Sequence, residues 1–187
     1  IAENISDSLR YKISILEYYQ FGFYKADASI KSTYAGTGYM YEYQLAMNPP
    51  EARKVLHDKR VFLQHFNQFI KHKFATLEQL KSSSDAFDKL LEKEPKRLIL
   101  KSHDGQCGNG IMVVTANGLA RKNLIKTMEE SGNDIVEEYI EQHEQLMKLS
   151  PSGLNTIRIF TQLRPNNTVD IIGCRIRISV NSIVDNL

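Results

Sequence analysis

The sequence predicts an α+β fold. Helical periodicity dominates to about residue 95, short β-branched runs take over after Pro95, and a glycine-rich turn separates the first two of those runs. Helices that give way to strands around a tight turn describe a small mixed lobe, not an all-helical bundle.

The opening region is aromatic and helix-prone: eight of the nine tyrosines fall between Tyr11 and Tyr43. Ile5, Leu9, Ile13 and Leu16 recur at helical spacing, which predicts one apolar face. The plainer expectation is a helical hairpin packed through its rings; the sharper one is a docking surface for a sugar or peptide acceptor. Asn48-Pro49-Pro50 breaks the chain and starts a helix that continues through Val55, Leu56 and Lys59 to Phe62, Phe66, Phe69 and Ile70. Thr76 and Gln79 form a capping box, and Ser84 and Asp85 offer a further cap.

Past Pro95, Leu98 to Lys101 and Ile111 to Thr115 read as strands, followed by a helix with Leu124, Ile125 and Met128 on one face that closes near Gly132. Ile135 to Ile140 is a third strand, and Gln142 to Leu149 a short helix. Thr156 to Leu163 and Val169 to Val180 form an antiparallel hairpin around Arg164-Pro165-Asn166-Asn167. Ile172, Cys174, Ile176 and Ile178 alternate with Gly173, Arg175, Arg177 and Ser179, which predicts a core face and a positively charged face.

Composition excludes several classes. With 187 residues, 42% hydrophobic and 25% charged, the chain suits one domain or two small subdomains. A net charge of +2 is too mild to argue for nucleic acid and is equally explained by small anionic ligands. No apolar run approaches the roughly 18 residues that span a bilayer, and no signal pattern opens the chain. Cys107 and Cys174 make no disulfide framework, so a reduced, cytoplasmic setting is expected. A start at Ile1 without methionine, and a stop at Leu187 directly after a strand-like run, lead us to expect a trimmed chain.

The segment His103-Asp104-Gly105-Gln106-Cys107-Gly108-Asn109-Gly110 is the strongest local signal, with Lys101 ending the strand before it. Glycines let a backbone approach a ligand and turn its N–H groups toward phosphate, and a neighbouring lysine adds a point charge. Ile111-Met112 after Gly110 excludes a P-loop, and the glycine order excludes the dinucleotide fingerprint. The alternative is a plain flexible turn. Val136-Glu137-Glu138-Tyr139-Ile140 could offer backbone groups to a base and a carboxylate to ribose; the alternative is an edge strand with solvated acids. Arg158, Arg175 and Arg177 share a hairpin face, and arginine forks match phosphate and carboxylate oxygens. Scattered surface ion pairs are the alternative there. His143-Glu144 fails as a zinc motif because Met147 stands where the second histidine belongs. Neither cysteine has a partner at metal spacing, and no Gly-x-Ser-x-Gly is present. Lys71-His72-Lys73 and Lys93 to Arg97 read as solvated charge runs.

Taken in order, six segments resemble the sugar-transfer-associated ATP-grasp family, which is linked with bacterial capsule and other surface polysaccharides. They are His57-Asp58-Lys59 with Phe62; Leu98 to Lys101 with the glycine loop; Val136 to Ile140 with Gln142-His143; Asn155-Thr156-Ile157-Arg158; Arg175-Ile176-Arg177; and Val184-Asp185-Asn186. The resemblance covers about residues 45 to 187. The first 45 residues add nothing to it, and residues 1–48 are expected as an aromatic-rich helical region on their own sequence; the resemblance implies 49–95 as a lead into the core, 96–141 as the small lobe with its phosphate loop, and 142–187 as an incomplete start of the larger lobe.

The resemblance further implies ATP held between antiparallel-sheet lobes, with Mg2+ as cofactor. Lys59 and Lys101 would be the phosphate lysines, and Gly105, Gln106, Cys107, Gly108, Asn109 and Gly110 the lid. Glu138, Tyr139 and Ile140 would line adenine with Glu137 near its amino group, and Glu144 would meet ribose. Arg158, Arg177 and Asn186 would act on the transferred phosphate. The family's acidic metal ligands are expected beyond this chain, so no metal ligand is assigned and the chain alone is expected to be inactive. The implied reaction activates an unidentified carboxylate as an acyl phosphate and joins it to an amine or other nucleophile on a sugar or peptide acceptor. The rivals are a phosphotransferase on the same fold and a non-catalytic nucleotide-binding scaffold. Partners beyond ATP and these substrates are polysaccharide assembly enzymes, met by peripheral association.

Overall fold

A computed structural model describes residues 2–105 and 110–179, which form two compact units, 1–57 and 58–187. Among the described residues no helix is long and apolar enough to cross a membrane.

The first unit is a set of short helices, not a hairpin: α1 (Ala2–Tyr11), α2 (Ile15–Gln20), α3 (Ala28–Lys31), α4 (Thr37–Met47) and α5 (Pro50–His57). The apolar repeat through Ile5, Leu9, Ile13 and Leu16 does not make one helix. Lys12 adopts a left-handed φ of 52°, which ends α1, and Ser14 with Glu17 closes a capping box that restarts the chain as α2. Leu9 and Leu16 are exposed, while Ile13 turns inward beside Tyr18 and the fully buried Phe23. Asp7 and Lys31 form a buried ion pair of 2.6 Å that joins α1 to α3.

The second unit begins with α6 (Lys59–His65), a new helix and not a continuation of α5, because the Asp58 carboxylate caps it through Arg60 N at 2.8 Å. Strand β1 (Phe74–Thr76) follows; at three residues it is too short to show a period. Thr76 ends β1 and also caps α7 (Leu77–Ser82) in the expected box with Gln79. Ser83, one residue before the expected position, caps α8 (Ser84–Leu91). Then come β2 (Arg97–Lys101), β3 (Met112–Thr115), α9 (Arg121–Ser131) and β4 (Ile135–Glu138). Helix α9 ends on Gly132 at φ 69°, a left-handed cap that needs glycine. Arg121 donates to the carbonyls of Leu80 and Lys81, satisfying the open end of α7.

The four strands pair antiparallel in the order β1-β4-β2-β3. Leu98, Leu100 and Val136 point to one face, where Leu80, Leu90, Leu124 and Met128 from the helices complete a dry core. Ile99, Lys101 and Glu137 alternate with them onto the other face. Beyond β4 lie α10 (Glu144–Met147) and the hairpin of β5 (Thr156–Leu163) and β6 (Val169–Arg177). A register shift between Phe160 and Thr161 places an extra residue, Ile172, in β6. The expected core face of this hairpin is open: Ile157, Ile159, Ile171 and Ile176 are all exposed.

Leu98→Ala should cost about 2–5 kcal/mol of stability by urea unfolding followed by circular dichroism, because a fully buried side chain leaves a cavity. Val113→Ala, on the opposite sheet face and 37% exposed, should cost much less.

Candidate nucleotide site

The face of the sheet opposite Leu98, Leu100 and Val136 carries the charged side chains. Glu137 sits in β4, a central strand with neighbours on both sides, and is 8% exposed. This overturns the alternative of an edge strand with solvated acids. Its Oε2 accepts a hydrogen bond from Lys101 Nζ at 2.7 Å and lies 3.2 Å from His72 Nε2. The imidazole is poorly aligned for a hydrogen bond, so that second contact is chiefly electrostatic. Burial alone would raise the carboxyl's pKa, but the His72 imidazole and the Lys101 ammonium together hold it below the ordinary 4.5. His72 was read from sequence as part of a solvated charge run. The structure instead places it half-buried against Glu137, a contact across 65 positions that no local pattern announces.

Lys59 approaches the glycine loop from a different element. Its Nζ donates to Ser102 O at 2.8 Å, to His103 O at 3.4 Å and to Gly105 O, and its own N–H donates to His103 O at 3.1 Å. Asp134, directly before β4, accepts from His103 N at 2.8 Å and contacts His103 Nδ1 at 2.6 Å. Arg60 reaches Asp134 at 3.2 Å and also clamps Asp58, whose carboxyl is thereby held far below its usual range. The loop stem is therefore pinned from α6 and from the approach to β4. Sequence reading missed Arg60 and Asp134, because an ion pair across 74 positions leaves no local pattern. Gly110 takes φ 74° where the chain returns toward β3. Gln106, Cys107, Gly108 and Asn109 lie outside the described residues, as does Asn186.

At the end of β4 the chain opens toward solvent. Glu138 N–H is used by Lys73 O and Tyr139 N–H by Arg97 O, whereas the Ile140 amide has no partner among the described residues. Cavities of about 510 and 160 Å³ flank this segment, and Arg97, Tyr139 and Ile140 line both. The Arg97 guanidinium lies 3.9 Å from the Tyr139 ring centroid, a stacked cation and not a freely solvated one. Glu144 is exposed at the start of α10.

In the hairpin, Arg158 lies directly opposite Arg175, and Arg177 opposite Thr156 on the same face. Like charges placed opposite one another in a sheet are unfavourable without an anion between them. Arg158 and Arg175 have no carboxylate partner among the described residues; Arg175 instead lies 5.5 Å from the Phe160 ring centroid. Asn155 holds the base of the hairpin: it accepts from Ser179 N at 2.9 Å and donates to Leu146 O at 3.1 Å. Among the described residues no group of three His, Cys, Asp or Glu side chains is placed to hold a metal ion.

A carboxyl whose pKa is lowered by folding stabilises above its unfolded value and loses that contribution as the pH falls through the folded one. The stability gap between the wild type and Glu137→Gln should therefore be widest near neutral pH and close below about pH 4 in thermal melts across that range. A gap that does not change with pH would show that Glu137 is not held ionised.

No curated protein and no solved structure matches the chain. Residues 39–187, most of its length, match the family described as sugar-transfer associated ATP-grasp. ATP-grasp proteins generally bind ATP, use Mg2+ and carry out ligase-type reactions. With the lysine-bearing sheet face, the pinned glycine-loop stem and the arginine-faced hairpin all inside the matched span, the chain belongs to the sugar-transfer associated ATP-grasp family.

Proposed function

We propose that this protein binds ATP beside the charged sheet face and activates a carboxylate as an acyl phosphate for ligation in surface-polysaccharide synthesis. The observation that carries the nucleotide reading is the Lys101–Glu137 pair on the charged sheet face, in the strand that leads to an Ile140 amide with no partner among the described residues. Adenine needs a donor and an acceptor in line, and the segment from Glu138 to Ile140, with the Ile140 amide unpartnered among the described residues, lines one cavity directly after Glu137. Lys101 and Lys59 would meet the phosphates, the residues from Gly105 to Gly110 would cover them, and Glu144 would take the ribose.

In the proposed chemistry a carboxylate oxygen attacks the γ-phosphorus and ADP leaves. A nucleophile then attacks the acyl carbon and phosphate leaves. Such transfers require positioning and charge neutralisation more than a covalent side chain, and Arg158 with Arg177 would supply that neutralisation. The metal supplies further neutralisation when bound. Among the described residues no cluster of His, Cys, Asp or Glu is placed to hold it.

Mg-ATP at about 100 times its dissociation constant should add roughly 2.7 kcal/mol, a rise of about 5–10 °C in melting temperature. Lys101→Ala should melt lower without ligand, since Glu137 loses its nearer cation, and should lose most of the ATP-induced rise. An undiminished rise in the variant would remove Lys101 from the site.

Arg158→Gln should lower turnover by about 100-fold while ATP binding stays within about twofold. Turnover is read as hydroxamate formed from ATP, a carboxylate and hydroxylamine. Phosphate transfer to a hydroxyl acceptor, with no hydroxamate, would replace the ligase reading with a kinase.

A further inference from the structure

The first unit has a cavity of its own, of about 470 Å³, lined by Arg10, Tyr11, Lys12, Thr33, Tyr34 and Tyr39 among others. Its walls are fixed. Tyr11 packs edge-on against Phe23 at 5.4 Å between centroids, and Tyr34 packs against the same ring at 5.5 Å while stacking on Phe21 at 4.8 Å. Phe23 is fully buried, so both phenols stand on a rigid base.

Tyr39 is brought to the cavity by an unusually close approach of α4. A Cβ on Gly36 would lie 2.2 Å from Ile13 Cγ2, and one on Gly38 would lie 2.7 Å from Lys12 O. Gly38 N–H donates to Lys12 O at 2.9 Å, and Glu17 accepts from Thr37 N–H at 2.9 Å and from its hydroxyl at 2.6 Å. Lys12 itself holds a left-handed backbone conformation that is uncommon for a residue with a side chain. Two glycines and a strained lysine thus position the first turn of α4 against the α1–α2 turn, leaving the tyrosines around an open space. Strain concentrated beside a cavity is a pointer to binding.

The charges select the ligand. Lys12 is neutralised by an ion pair with Glu42. Arg10 has no carboxylate partner among the described residues and lies 5.4 Å from the Tyr11 ring centroid. One uncommitted guanidinium matches one carboxylate or phosphate through a two-point contact. Tyrosines pair an apolar ring with a polar tip, as a pyranose with C–H faces and hydroxyl edges requires. A nucleoside triphosphate, carrying several negative charges, would exceed what a single free cation offsets.

We infer that this cavity is a binding site for a hexose ring bearing one anionic group, a uronic acid or a glycosyl phosphate. The site lies wholly within residues 1–57 and does not depend on the nucleotide reading. Preformed walls keep the ordering cost of binding low.

The test is amide NMR titration of the full chain with glucuronic acid, glucose 1-phosphate, glucose and inorganic phosphate. The two anionic sugars should shift residues of α1, α3 and the first turn of α4, and bind about tenfold more tightly than glucose or phosphate alone. Arg10→Gln should weaken the anionic sugars about tenfold and leave glucose unchanged. Tyr39→Ala, at an exposed position that does not threaten the fold, should weaken all three sugars. Lys101→Ala should bind them as the wild type does, which separates failure of this site from failure of the nucleotide site. Equal binding of all four probes, shifts outside the first unit, or indifference to Arg10→Gln would each overturn the inference, and whichever anionic sugar binds more tightly identifies the anion.

Discussion

The second unit depends on a carboxylate buried in the middle of its sheet. A charge placed there must be paired, and Glu137 is paired twice, by Lys101 and by His72. Because β4 is central, the position of Glu137 is set by backbone bonds on both sides and owes little to its own rotamer. The sheet's other face is sealed by leucines, so the two faces differ in chemistry, one apolar and one charged.

The same strand anchors the glycine loop. Asp134 lies one residue before β4 and grips His103, while Lys59 gathers the carbonyls of Ser102, His103 and Gly105. Both ends of the functional face are thereby referred to one element. The first unit relies on close backbone contact instead: Gly36 and Gly38 allow approaches that any side chain would block. Each unit is ordered around its own cavity by a different physical means.

Much of the second unit was legible in the sequence because its signals are local. The Thr76–Gln79 box, the Gly132 cap and the runs Leu98–Lys101 and Met112–Thr115 each follow from neighbouring residues. The first unit was misread for a related reason. Its apolar repeat is genuine, but a left-handed Lys12 breaks the phase, and no propensity rule anticipates that conformation in a lysine. β1 escaped notice because three residues cannot display alternation. In the candidate site, Lys101 and Glu137 stand out in the sequence by type and spacing, whereas His72, Arg60 and Asp134 become meaningful only once distant segments pair. The expected core face of the hairpin is exposed instead, because alternation sorts side chains between two faces without saying what packs against either.

That hairpin has a consequence for the protein in solution. Isoleucines line one face of β5 and β6, and among the described residues neither outer edge of the pair meets another strand. A ladder with free N–H and C=O groups beside an apolar row is a template for a further strand. The arginines on the opposite face oppose stacking of like copies through their charge, and that protection weakens as salt screens it. Colloidal behaviour is thus linked to the charge of the hairpin: substitutions that neutralise Arg158 or Arg175 remove a brake on self-association.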